Sequence, residues 1–200
     1  MSTLATSHDS TESTTKALTA ADLAALPSDL PSGPVLYELE NGRLIIMSPP
    51  GYIHGRVEIA IASAFYEQGD RRGLGETVGG ETGVILWRDP DRVVGVDVAF
   101  VAKASLPIKL SPEGYLETIP DLVVEVRSKN DSPGYVRRKV DDYLAAGVRI
   151  VWTVDPAARS LIEYRRDTAG RTFTEADTVT VEDVLPGFRL VLATLFSLPT

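Results

Sequence analysis

Val93-Val94-Gly95-Val96-Asp97-Val98-Ala99-Phe100-Val101 is an apolar run interrupted by a single carboxylate. A run so rich in valine predicts a central strand covered on both faces. Alternation places Val94, Val96, Val98 and Phe100 on one face, and Gly95, Asp97 and Ala99 on the other. Asp97 then stands between two small neighbours, with space above it. An unpaired carboxylate in such a strand is costly, so it needs a partner, and a cation is a good one.

A second stretch repeats the pattern. In Asp121-Leu122-Val123-Val124-Glu125-Val126-Arg127, residues Leu122, Val124 and Val126 face one way, and Asp121, Val123, Glu125 and Arg127 the other. Two such strands side by side aim Asp97 and Glu125 at one point. Oxygen ligands suit Mg2+ or Mn2+, with positions left for water and phosphate. Such an ion polarises a phosphodiester and lowers the pKa of a bound water. Spacing alone leaves a second reading open, in which both acids are salt-bridged to Arg127 or to other basic groups.

Other candidates lie around this pair. Glu81 shares a strand face with Gly83 and Ile85; it either completes the metal site or is a polar residue beside a turn. Lys139 lies at the margin of a helical stripe formed by Val136, Val140, Tyr143 and Leu144. From there it can lay its stem along the core and reach a phosphate or water, or it is a plain surface lysine. His54 and Glu58 form an i, i+4 pair on a helix edge, where His54 assists the site or simply begins the helix. Glu38 opens a hairpin and could line the same cleft.

Working outward, Thr19 to Leu23 begins a short helix that Pro27 and the run to Pro34 must end. Val35–Glu40 and Arg43–Ser48 read as strands joined at Asn41-Gly42, a strong hairpin signal. From Tyr52 to about Gln68 apolar residues recur at three and four, an amphipathic helix that Gly69 ends. Gly75–Trp87 is extended with a bend at Gly79-Gly80, and Asp89-Pro90-Asp91 turns into a strand from Arg92 to Ala102. A proline-containing loop covers 105–120. After the Glu125 strand come a helix from Gly134 to Ala146 and strands at Val148–Val154 and Ser160–Arg165. One or two short strands and an irregular end are expected from Thr172 onward. The order predicts an α/β fold: a mixed central β-sheet flanked by helices.

Composition bounds the rest. Two hundred residues suit one domain, expected over 17–200, after a Ser/Thr-rich disordered tail over 1–16. The tail has no apolar core and so does not read as a secretory signal. No apolar run approaches the roughly 20 residues of a membrane helix, so no membrane partner is expected. Cysteine is absent, which excludes disulfides, thiol catalysis and thiolate zinc sites; a reducing cytoplasm is the natural setting. The net charge of −8 counts against coating nucleic acid by electrostatics alone. It is compatible with divalent cations meeting phosphate, or with local basic groups at Arg71-Arg72, Arg137-Arg138-Lys139 and Arg165-Arg166, each of which also reads as a solvated surface.

Taken in order, several of these residues resemble the Uma-two family of restriction-endonuclease-like proteins, within the PD-(D/E)xK nucleases. The resemblance is carried by Tyr37-Glu38-Leu39, Asn41-Gly42-Arg43-Leu44, Met47-Ser48-Pro49 and His54. It continues through Val96-Asp97-Val98-Ala99, Pro120-Asp121-Leu122-Val123-Val124-Glu125-Val126, Lys139, Tyr143, Ala146-Gly147-Val148 and Val151-Trp152-Thr153-Val154-Asp155-Pro156. It spans about residues 19–165 and implies a restriction-endonuclease-like fold, a divalent metal and hydrolysis of DNA. Asp97 falls at the first acid, Glu125 at the second, Glu81 at an upstream acid and His54 at a helix position common in the family.

The sequence departs from the pattern twice. Val96 replaces the proline before the first acid, and Arg127 replaces the lysine two after the second. Arginine stabilises charge but does not give up a proton. A lysine migrated to the following helix is the family's usual answer, and Lys139 fits it. The expectation is a Mg2+- or Mn2+-dependent endonuclease with metal at Asp97, Glu125 and Glu81, water handled by Lys139, and a homodimer for duplex cutting. The alternatives are a non-catalytic interaction protein that kept the fold, and a hydrolase of small phosphoesters.

Overall fold

The structure is a computed structural model and describes residues 16–31, 33–107, 114–128 and 131–197. The tail expected over 1–16 lies outside the described residues except for Lys16. Thr19 caps α1 (Ala20–Ala24), accepting from the Asp22 N–H while the Asp22 carboxylate accepts from the Thr19 N–H. Two short strands, β1 (Asp29–Leu30) and β2 (Gly33–Pro34), follow where the sequence suggests only a break. The hairpin of β3 (Leu36–Glu40) and β4 (Arg43–Met47) turns at Asn41 and Gly42, both at positive φ, as its twist requires.

Next come α2 (Tyr52–Gln68), β5 (Gly75–Trp87), β6 (Arg92–Ala102) and β7 (Leu122–Val126). Within the proline-containing loop, Leu116 bridges to Val84, and residues 108–113 lie outside the described residues. α3 (Pro133–Ala146) begins with Ser132 capping the Tyr135 N–H and Pro133 in the first turn, and ends at Gly147 with φ 113°. It connects β7 to β8 (Ile150–Asp155), which pair in parallel. β9 (Ser160–Tyr164) and β10 (Arg171–Thr174) extend the sheet. The C-terminal stretch is more regular than expected: β11 (Thr178–Val179) pairs with β12 (Leu190–Val191) apart from the main sheet, and α4 (Leu192–Phe196) follows. Strands of two residues are too short to show a period, and so leave no pattern in sequence.

The main sheet runs β10-β9-β8-β7-β6-β3-β4, with β5 pairing β6 along most of its length. The opposite edge of β6 is shared. β7 pairs at Val98, Ala99 and Phe100, and β3 pairs at Val93. Between them the sheet forks, and Gly95 and Asp97 stand in the fork.

Valines on β6 also divide there. Val98 and Phe100 pack with Val57, Ile61 and Phe65 of α2, whereas Val94 and Val96 join Val140 and Tyr143 of α3. Simple alternation, which groups all four on one face, is thus corrected at Asp97. The neighbouring β5 is irregular at the same level, with a register shift between Gly79 and Thr82 opposite Val98 and Val96. Such a bulge increases local twist, and an eleven-residue strand twisted there serves two differently placed helices.

Candidate metal and catalytic site

The fork leaves backbone groups without a neighbouring strand, and side chains take that neighbour's place. The Gly95 N–H donates to Glu38 Oε1 at 3.1 Å, and the Gly95 carbonyl accepts from Lys139 Nζ at 3.4 Å. Across the fork, the Val126 N–H donates to Asp97 Oδ2 at 2.6 Å. Buried backbone groups require partners, so this break in the ladder holds three charged side chains at one place.

Asp97 is 4% exposed and lies at the centre. His54, at the start of α2, brings Nε2 to 3.2 Å from Asp97 Oδ2. Glu58, one turn on, is held by the Gly80 N–H at 2.8 Å and lies 3.9 Å from His54 Nδ1. Among the described residues, ligand atoms of His54, Glu58 and Asp97 lie within 4.8 Å of one another. His54 Nδ1 is buried and makes no hydrogen bond. Burial lowers the imidazole pKa, but the hydrogen bond and charge of Asp97, with Glu81 and Glu58, overcome this and raise it above the ordinary value.

Glu81 reaches the same place from the β5 bulge, at a φ of 60°. Its carboxylate lies over Gly95, where an added Cβ would stand 2.7 Å from Glu81 Oε2. The glycine predicted to leave space above Asp97 therefore leaves it for Glu81. Burial, with the Asp97 charge beside it, raises the Glu81 pKa to about 7.

Glu125 projects from β7 toward α3. Its Oε2 accepts from Lys139 Nζ at 2.7 Å, and its Oε1 from the Tyr143 hydroxyl. Burial raises its pKa to about 8, and Asp97 adds to this against the pull of Lys139. Lys139 is 6% exposed, deeper than a helix margin suggests, and also meets Glu38 Oε1 at 3.2 Å. Burial opposes its charge, but Glu125, Tyr143 and Glu38 together hold its pKa well above the usual lysine range. Lys139 is therefore an ammonium here, able to donate hydrogen bonds but not to accept a proton.

The structure thus brings Asp97, Glu125, Lys139, Glu81 and His54 together, with Glu58 and Glu38 among them. Arg127 goes elsewhere: it pairs with Asp155 at 2.7 Å, so the ion pair of Glu125 is made with Lys139. Sequence reasoning gave too little weight to Glu38, which is 1% exposed, and missed Arg92, which is 2% exposed and contacts Glu38 Oε2 at 3.3 Å. The available signal was an acid inside a short strand beside Leu39, a residue that must be buried. Arg92 gave no comparable signal, since a charged residue after a turn reads as exposed. A narrow cleft lined by Glu125, Arg127, Asp131, Tyr135, Val136 and Lys139 opens beside the pair.

Comparison with known proteins bears on the fold and the family. A solved structure described as "a putative nuclease belonging to DUF820", from Anabaena variabilis, superposes with a TM-score of 0.73. It is 17% identical, and the match covers 90% of this chain and 97% of that one, a likeness that concerns the fold. No match was found among curated proteins. The profile of the Uma2 family, described as "Putative restriction endonuclease", matches residues 21–194, and the chain belongs to that family.

Proposed function

We propose that the protein is a Mg2+- or Mn2+-dependent endonuclease that hydrolyses DNA phosphodiester bonds. The observation that carries this reading is Lys139. Where the sequence lacks the lysine two after Glu125, a lysine from α3 reaches the Glu125 carboxylate at 2.7 Å. The acid–lysine pair is thereby rebuilt from another element, beside Asp97.

The donor set suits a divalent cation. Asp97, Glu125 and Glu81 are oxygen donors, and His54 adds a buried nitrogen without a hydrogen-bond partner. The raised pKa values of Glu81 and Glu125 come first from burial and then from the Asp97 charge, and a bound cation would favour the ionised form of both. Asp97, with Glu125 and Glu81, would hold the ion, and His54 and Glu58 stand ready on the α2 side. Once bound, the ion supplies an activated water and polarises the phosphodiester. Lys139 keeps its proton and would offer positive charge to the attacking water and the phosphate. Burial of these groups strengthens each interaction by excluding water.

A chain of net charge −8 has no broad electrostatic grip on DNA, so binding should be weak without the metal. Duplex cleavage needs two such sites, for which a homodimer is the proposed arrangement. Nicking of supercoiled plasmid in Mg2+ or Mn2+, with Lys139→Ala alongside, tests the reading. Cleavage by the wild type that the variant loses supports it. A folded wild type inactive across metals and DNA forms favours a non-catalytic interaction protein instead.

A further inference from the structure

We propose that Glu38 is a positioning residue that fixes the Lys139 ammonium against Glu125, and that Arg92 and Asp142 hold Glu38 to this task. Only the kinetic arm of the test rests on the nuclease reading.

Glu38 lies on β3, across the fork from Glu125 on β7. Its Oε1 accepts from both Lys139 Nζ, at 3.2 Å, and the Gly95 N–H, at 3.1 Å. Its Oε2 accepts from Arg92 Nη1 at 3.3 Å. The carboxylate thereby ties the ammonium to the backbone of β6 two residues before Asp97. Lys139 Nζ spends its three donors on Glu125 at 2.7 Å, Glu38 at 3.2 Å and the Gly95 carbonyl at 3.4 Å, and this set fixes where the ammonium stands.

Charge balance explains Arg92. Glu38 is 1% exposed and its two oxygens face two cations, Lys139 at Oε1 and Arg92 at Oε2, which offsets the cost of a charge at this depth. Arg92 supplies the second cation. Its Nη1 also donates to the Leu39 carbonyl at 3.0 Å and the Val93 carbonyl at 3.3 Å. Its Nε donates to Asp142 Oδ2 at 2.8 Å. Asp142 is three residues beyond Lys139 on α3 and so lies on the same side of that helix. Arg92 therefore clamps β3, β6 and α3 together at the lysine. A pair present only for folding would not need to end on the ammonium that meets Glu125.

The test compares wild type, Glu38→Gln and Asp142→Asn, with the thermal midpoint as a check on folding. Accessibility of Lys139 is read by amine acylation and peptide mass spectrometry, with exposed Lys103 as internal reference. Turnover is read from plasmid nicking at saturating Mn2+. In the wild type Lys139 should stay protected while Lys103 reacts. In Glu38→Gln, which keeps shape but removes charge, Lys139 should react at a rate approaching that of Lys103. Its kcat should fall about 100-fold with KM nearly unchanged, the cost of misplacing a catalytic group by about 1 Å. Asp142→Asn should move both readouts the same way by less, and it carries the test if Glu38→Gln does not fold. A folded variant with Lys139 still protected, or with kcat unchanged, overturns the proposal. An inactive wild type overturns the nuclease reading instead, and the acylation rates still decide the role of Glu38.

Discussion

Two regions of the same sheet are equally buried and differently built. Under α2, Phe65 packs against Phe188, Trp152 and Phe100, with ring centroids 5.1, 5.8 and 6.0 Å apart. Under α3, at the fork, Glu38, Arg92, Lys139 and Asp97 are all nearly inaccessible and are held by ion pairs and backbone hydrogen bonds. The aromatic cluster needs no further explanation, because apolar surface removed from water stabilises the fold directly. The charged seam does not explain itself. Well-packed apolar residues could occupy such a place at equal or better stability, so the seam points to chemistry rather than to folding.

Breaking one partner in each region should separate these roles. Lys139→Met should lose about 3–5 kcal/mol of stability, because it strands buried carboxylates without their cation. Combining it with Glu38→Gln should recover part of that loss, and activity should stay lost in both. Urea unfolding beside a nicking assay reads both effects. Phe65→Ala should cost a comparable or slightly smaller amount, about 3–4 kcal/mol, from lost burial and the cavity left behind. Its folded fraction should still bind Mn2+ as the wild type does, and a loss of metal affinity equal to that of Asp97→Ala would show the two regions to be coupled.

Proton linkage gives a subtler contrast, since the site has groups that titrate near neutrality and the aromatic cluster of Phe65, Phe100, Trp152 and Phe188 has none. Glu81 and Glu125 have pKa values raised from 4.5 to about 7 and about 8. Between 4.5 and those values the folded chain without metal holds protons that the unfolded chain has released. Its stability should therefore fall as pH rises through this window, the benefit being complete below 4.5 and gone above about 8. Mn2+ should release protons on binding at pH 7 and bind more tightly at pH 8 than at pH 6. Calorimetry in two buffers of different ionisation enthalpy measures the release, and binding without it would place the ion away from these carboxylates. The smallest effect belongs to neither region: Thr19→Ala should lower stability by about 1 kcal/mol through the α1 cap and leave metal binding unchanged.

Much of the fold was legible because the long elements carry strong periods. α2 spans Tyr52–Gln68 and β6 spans Arg92–Ala102, as their patterns predict. The carboxylates were legible for the same reason, since a lone acid in a valine strand stands out. Pairing across the fork was not. Glu38 and Lys139 are 101 positions apart and meet across the fork, while Glu38 and Arg92, 54 apart, meet because β3 pairs with β6 at Leu39 and Val93. Lys139 showed its helix face but not its depth, which is set by the carboxylates waiting beneath it. The split of the β6 valines at Asp97 was hidden too, because strict alternation assumes a flat strand and the neighbouring strand is bulged there.

Nicking of supercoiled plasmid by wild type and Asp97→Ala, with and without Mn2+, decides whether the carboxylates at the fork cleave DNA. Metal-dependent nicking by the wild type should fall on the order of 100- to 1000-fold or more in the variant. Equal cleavage by a folded Asp97→Ala protein would contradict that role.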